Sequence, residues 1–159
     1  MLRYLSIPMA IALAAAPVHA QSAAPSPLFG AWSVDVSKLP IPPEFRPQRV
    51  VITFSDAGAL QWKTDVEIVD AAGHSTHQIS VHDLNGTPVP ITNGLEADIV
   101  SARSPAPGVL ILALGKGGIP ASTRIYTVQP DGVSMTETAV YFGEDGKPIM
   151  RTNYFTRVP

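Results

Sequence analysis

Alternation of apolar and polar residues is the dominant signal along the chain. In Arg49–Ser55, Val50, Ile52 and Phe54 share one face. In Leu60–Val69, Leu60, Trp62, Val66 and Ile68 oppose Gln61, Lys63, Asp65 and Glu67. A period of two over ten residues predicts a half-buried antiparallel strand. His74–His82 repeats the pattern, with His77, Ile79 and Val81 on one face and His74 and His82 on the other. Further strands are expected over Ala31–Val36, Glu96–Arg103, Val109–Leu114, Ser122–Gln129, Val133–Phe142 and Lys147–Arg157. The separators are turn formers: Asp56–Ala59, Asp70–Gly73, Asp83–Gly86, Ser104–Gly108, Gly115–Pro120, Pro130–Gly132 and Gly143–Gly146. Thr87–Gly94 reads as a loop with a short extended piece. Leu39–Pro47 carries four prolines, which exclude a regular helix or central strand. It reads as an extended crossover on the surface or across one mouth.

These elements make about eight or nine strands joined by short connections, with no amphipathic helix. Sequence neighbours should then be spatial neighbours. The expected fold is all-β: a single antiparallel up-and-down β-barrel of about 8–9 strands, since closure removes exposed edges. An immunoglobulin-like sandwich is the competing architecture, but it needs longer cross-sheet connections than the chain offers apart from Leu39–Pro47.

The first residues do not join this pattern. Arg3 gives a positive start, Tyr4–Ala16 is apolar but for Ser6 and Pro8, and Val18-His19-Ala20 is a small-x-small cleavage site. Residues 1–20 therefore read as a secretory signal peptide cut after Ala20, its apolar run being too short to span a bilayer. Residues 21–28 read as a flexible linker and 29–159 as the barrel domain. Removing the first 20 of 159 residues leaves 139, enough for one domain with a sizeable core. The expected location is periplasmic or secreted, in a bacterial envelope, since the chain has no cysteine.

Of the 11 Lys and Arg only Arg3 lies in the leader, so the mature chain carries −3 against its 13 Asp and Glu. No basic stripe supports nucleic-acid binding. No His, Asp or Glu cluster has metal-ligand spacing, and no metal or cofactor is expected. Gly115-Lys116-Gly117-Gly118 lacks the spacing and Ser/Thr of a phosphate loop and reads as a hairpin turn.

Phe29-Gly30-Ala31-Trp32-Ser33-Val34-Asp35, Arg124–Gly132, Met135-Thr136 and Tyr154–Arg157 resemble the small exported lipocalin-like (calycin-type) proteins of bacteria, a largely uncharacterised family. The resemblance implies a barrel and a structural end made by Gly30, Trp32 and Arg157, with the arginine of the last strand packed over the tryptophan. The chain departs from true lipocalins in lacking cysteines and a C-terminal helix.

Candidate chemistry centres on the hairpin around Pro130-Asp131-Gly132. With Val128 opposite Val133, Tyr126 meets Met135 and Arg124 meets Glu137, a register favoured by opposite charges across the strands. Arg124, Tyr126, Val128, Val133, Met135, Glu137, Ala139 and Tyr141 would then share an inward face. An Arg124–Glu137 pair among apolar walls is a polar anchor for a small molecule. The candidate ligand-binding residues are Arg124, Glu137, Tyr126, Trp62, His77, Met135 and Tyr141. An exposed ion pair and a buried structural pair remain alternatives for Arg124–Glu137. Trp62, Ile52, Phe54, Ile79, Met135 and Tyr141 are bulky enough to fill much of the barrel, which limits a ligand to a small one or one near a mouth. Leu110, Leu112 and Leu114 form a second apolar face opposite Val109, Ile111 and Ala113; the Pro-rich crossover could cover it, or it could serve self-association or an envelope contact.

The expected function is an exported binding module for a small apolar or amphipathic ligand, without stable membrane insertion. The alternatives are a filled barrel acting as a structural or partner-binding envelope protein, and a small enzyme using Glu137 or His77 as acid/base. No catalytic motif is present to support the last.

Overall fold

The computed structural model describes residues 25–159; the expected leader and residues 21–24 lie outside the described residues. Ten strands follow one another: β1 (Gly30–Val34), β2 (Arg49–Gly58), β3 (Gln61–Val69), β4 (Ser75–Asp83), β5 (Val89–Pro90), β6 (Ile99–Ala106), β7 (Val109–Lys116), β8 (Ile119–Val128), β9 (Ser134–Phe142) and β10 (Pro148–Arg157). All belong to one antiparallel sheet of order β4-β3-β2-β1-β10-β9-β8-β7-β6-β5. Strands consecutive in sequence therefore pair, except β4 and β5, which are the two edges, and β1 pairs with β10.

The remaining gap, between β4 and β6, is filled by the ragged segment around β5. It pairs with β6 at Val89 and Pro90 and by a bridge from Asn85 to Arg103, and reaches β4 by a bridge from Thr92 to Ile79. The result is a near-closed up-and-down barrel. It has ten strands rather than eight or nine. The extra strand lies within Thr87–Gly94, where Pro88 and Pro90 cannot donate to a ladder and leave only two residues of regular pairing. Among the described residues no helix is long and apolar enough to cross a membrane.

Hairpin chemistry places the turns. Gly117 and Gly118 both take positive φ (58° and 80°), the conformation a two-residue hairpin needs. The β2–β3 hairpin makes the same demand of Ala59 and Leu60 (49° and 66°). Leu60 is consequently at a hairpin tip, 93% exposed, and not on the inward face with Trp62.

Inward positions divide the barrel into two halves. At one end Leu28, Trp32, Phe54 and Leu110 are wholly buried and fill the lumen. Leu28, the last residue of the expected linker, is thus part of the core. Its carbonyl accepts from Trp32 Nε1 at 2.8 Å. The Arg157 guanidinium lies over the Trp32 ring, 4.1 Å from its centroid, and donates to the carbonyls of Phe29 (2.7 Å), Pro27 (2.6 Å) and Gly132 (2.9 Å). Gly30 leaves room for this clamp: a Cβ there would sit 2.7 Å from Arg157 Nη1, on a backbone with φ +119°. The other end stays open. There Leu39, Ile41 and Pro47 of the Pro-rich crossover line the mouth; Leu39 and Ile41 lie between single-turn 3-10 helices at Val36–Lys38 and Pro43–Phe45, and Pro47 follows the second.

Two expected faces are reversed. Leu110, Leu112 and Leu114 point into the barrel (0% and 5% exposed for the first two), so they are core and not an outer contact surface. The outward residues of β7 are Val109, Ile111 and Ala113. On β4 the inward set is Thr76, Gln78, Ser80 and His82, each paired with an inward residue of β3. His77, Ile79 and Val81 face outward. Apolar content alone assigned the β4 face, and here the polar side of the strand turns inward.

Candidate functional site

The open half of the barrel holds a cavity of about 310 Å³. Its walls are mainly apolar and include Ile52, Val66, Ile91, Val100, Leu112 and Leu114. The polar side of β4 contributes Gln78 and Ser80, and Thr64 of β3 stands beside them. Arg124, Tyr126, Glu137, Arg151 and Asn153 bring charge and hydrogen-bonding capacity from three adjacent strands.

Strands β8, β9 and β10 assemble these groups because alternate residues share a face and the register brings them level. Tyr126 lies opposite Glu137, and Glu137 opposite Asn153. The Glu137 side chain is 5% exposed. Its Oε1 accepts from Tyr126 OH at 3.0 Å and Arg124 Nη1 at 3.2 Å, and its Oε2 from Asn153 Nδ2 at 2.5 Å. A carboxylate out of water needs such donors. Arg124 is shared: Nη2 reaches Glu96 Oε2 at 2.6 Å and Nε reaches Ser122 Oγ at 3.1 Å. Glu96 belongs to the turn between Thr92 and Ile99 and stays largely exposed, so it bridges the mouth to the buried cluster.

The electrostatics follow from burial. Desolvation alone would lower the Arg124 pKa, but the carboxylates of Glu137 and Glu96 outweigh it and hold the guanidinium above its usual value. Burial first, then the adjacent Glu137, pushes the Tyr126 phenol well above the ordinary range. Tyr126 therefore stays a neutral donor. The cluster is a carboxylate with its donors in place.

The hairpin register differs from expectation by two residues. Val128 pairs with Met135, Tyr126 with Glu137 and Arg124 with Ala139. The turn is longer than four residues: Gln129 N donates to Ser134 O, and Asp131 Oδ1 accepts from the amides of Val133 and Ser134. Val133 leaves the inward face and is 53% exposed. A shift of two preserves each strand's faces, so Arg124 still reaches Glu137, diagonally instead of directly.

Met135 is buried beneath the cavity among core residues, and Tyr141 is half-buried with the Arg151 guanidinium 5.5 Å from its ring centroid. Trp62 faces inward at the filled end, packed against Phe29 at 4.6 Å between ring centroids, away from the cavity. His77 is outside the barrel, its Nδ1 2.8 Å from Asp65 Oδ1, and shares no space with Glu137. Ile79 is outside too and does not fill the lumen. Among the described residues no group of three or more His, Asp or Glu side chains is placed to hold a metal ion.

Among the residues of this region that went unmarked in the sequence are Thr64, Gln78, Ser80, Glu96, Arg151, Asn153 and the adjoining His82. Arg151 and Asn153 share the inward parity of β10 with Phe155 and Arg157, and that alternation was the available signal. His82 is wholly buried, with Nε2 3.0 Å from Thr64 Oγ1 and Nδ1 without a partner among the described residues.

Burial lowers the His82 pKa below 6.5. The unfolded chain then takes up a proton below about pH 6.5 while the folded chain does not. Stability from the neutral imidazole should be complete above that pH and fall as pH drops below it. Urea midpoints taken from pH 7.5 to 5.5 should decline in the wild type and decline less in His82→Asn. Parallel declines in the two proteins would remove His82 as the cause.

Comparison of the chain with protein-family models gave no match, and comparison with curated protein sequences gave none either.

Proposed function

We propose that the chain is a lipocalin-like binding module that holds one small amphipathic molecule in the open half of its barrel. One observation carries this reading: a cavity of about 310 Å³ whose apolar walls converge on the buried Arg124–Glu137–Tyr126–Asn153 cluster. Its volume is at the small end of ligand pockets, and a few fixed polar groups in an apolar cleft are how such pockets orient a ligand. The inverted β4 supports the same reading, since polar residues turned into a barrel conflict with core formation unless something polar meets them. The leader at residues 1–20 supports a periplasmic or secreted site of action.

Native mass spectrometry of the exported protein, purified without detergent, tests the proposal. The expected result is a reproducible added mass of a small molecule on the wild type. Leu114→Trp, which puts an indole against the half-buried cavity wall, should abolish it. A bare wild type, together with a Leu114→Trp protein of raised Tm, would mark the cavity as a packing gap.

A further inference from the structure

Two polar atoms of residues that line the cavity are buried and have no partner among the described residues: Arg151 Nε, a donor, and Asn153 Oδ1, an acceptor. They lie two residues apart on the inward face of β10, so their Cα atoms are about 6–7 Å apart along the strand. Asn153 is 6% exposed. Its amide cannot be turned to relieve the acceptor, because Nδ2 is committed to Glu137 Oε2. A buried donor or acceptor left unmade is unfavourable, and protein interiors contain few of them.

The neighbouring charges restrict what can fill these valences. Arg124 is occupied on both sides by Glu96 and Glu137, and Glu137 has accepted from three donors. The charge of Arg124 is therefore already met within the chain. Counted together, Arg124 and Arg151 balance Glu96 and Glu137. Arg151 is in no ion pair among the described residues, so a carboxylate could meet its charge, but it would leave Asn153 Oδ1 without a donor and would lose its water in a low-dielectric space.

We infer that the ligand's polar end is a neutral group that both accepts and donates a hydrogen bond, an alcohol or a carboxamide, seated between Arg151 Nε and Asn153 Oδ1 on the cavity wall. The inference rests on the binding reading above and narrows it to a ligand class. The hydroxyl or amide oxygen accepts from Arg151, and its O–H or N–H donates to Asn153. The apolar remainder of the molecule lies along Ile52, Val66, Val100 and Leu112. A carboxylate cannot donate to Asn153, an ammonium cannot accept from Arg151, and an ether satisfies only one of the two.

A matched set of probes separates these cases: octan-1-ol, octanamide, heptyl methyl ether, octanoate and octylammonium, titrated at pH 7 and followed by amide NMR shifts. The alcohol and the carboxamide should bind about tenfold tighter than the other three, the difference expected of one or two net hydrogen bonds. Arg151→Met removes the donor, and Arg151→Lys keeps the charge but has no Nε. Both should weaken the alcohol, the carboxamide and the ether alike by several-fold, since each accepts from Arg151, and retained amide shifts of the core residues Trp32, Phe54 and Leu110 check that each variant is folded. Octanoate or octylammonium binding tightest would overturn the ligand class and leave the binding reading standing. So would equal binding of ether and alcohol, the result if water satisfied both atoms. Alcohol, carboxamide and ether affinities that are unchanged in both Arg151 variants would overturn the assignment of the donor. Failure of every probe to shift cavity resonances such as those of Val100 and Leu112 would overturn the binding reading as well.

Discussion

Glu137→Leu should destabilise the protein by roughly 3–5 kcal/mol, the loss seen when one partner of a buried ion pair is removed. The substitution leaves Arg124 inside the barrel facing only Glu96, a carboxylate in solvent, and strips acceptors from Tyr126 OH and Asn153 Nδ2. The decisive comparison is with Arg124→Met in the same background. A buried ion pair replaced as a whole by apolar groups is often close to neutral, so the double variant should regain more than half of the single variant's loss. Urea unfolding of wild type, both single variants and the double variant at pH 7 gives the coupling directly. A Glu137→Leu loss below about 1 kcal/mol, the range of an exposed pair, would show that water reaches the cluster freely and that its burial has no energetic weight.

Trp32→Ala should be comparably severe, at roughly 3–5 kcal/mol. The indole is wholly buried and its loss opens a void among Leu28, Phe54 and Leu110. It also unpairs the Leu28 carbonyl and removes the ring beneath the Arg157 guanidinium. Because the filled half and the cavity are separate, this variant should lose stability and still bind at temperatures where it is folded. Arg151→Met, described above, should do the reverse. Thermal unfolding beside a probe titration measures both, and loss of affinity in folded Trp32→Ala protein would mean the two halves are coupled.

The architecture was legible because nine of the strands are long enough for period-two alternation to show, and because Gly and Asp turns separate them. Arg157 over Trp32 was implied by the resemblance that the motifs at the two chain ends carry, not by the residues alone. The site was legible only in part. Cross-strand charge matching brought Arg124 and Glu137 together but could not tell direct opposition from a diagonal two residues away, since side chains reach both. The length of the Gln129–Ser134 turn decides that, and the Asp131 side chain sets it by capping two amides. On β4 hydrophobicity gave the wrong answer for a physical reason. Ile79 and Val81 lie outward beside the ragged seam, while Gln78, Ser80 and His82 turn toward the lumen. The pattern that marks a core strand fails where the interior is a cavity lined with polar groups. On β7, where both faces are apolar, composition could not say which one the lumen takes.

Closure by β10 has a consequence for how the chain reaches its folded state. Arg157 bonds to the Pro27 carbonyl across 130 residues of sequence, and β1 has only β2 beside it until β10 arrives. Contacts of such long separation form late, because loop closure must precede any gain from them. A nascent chain that has not yet emitted Pro148–Arg157 has an unsealed sheet, an unclamped tryptophan and an open lumen. Such a molecule remains threadable for as long as its last strand is withheld.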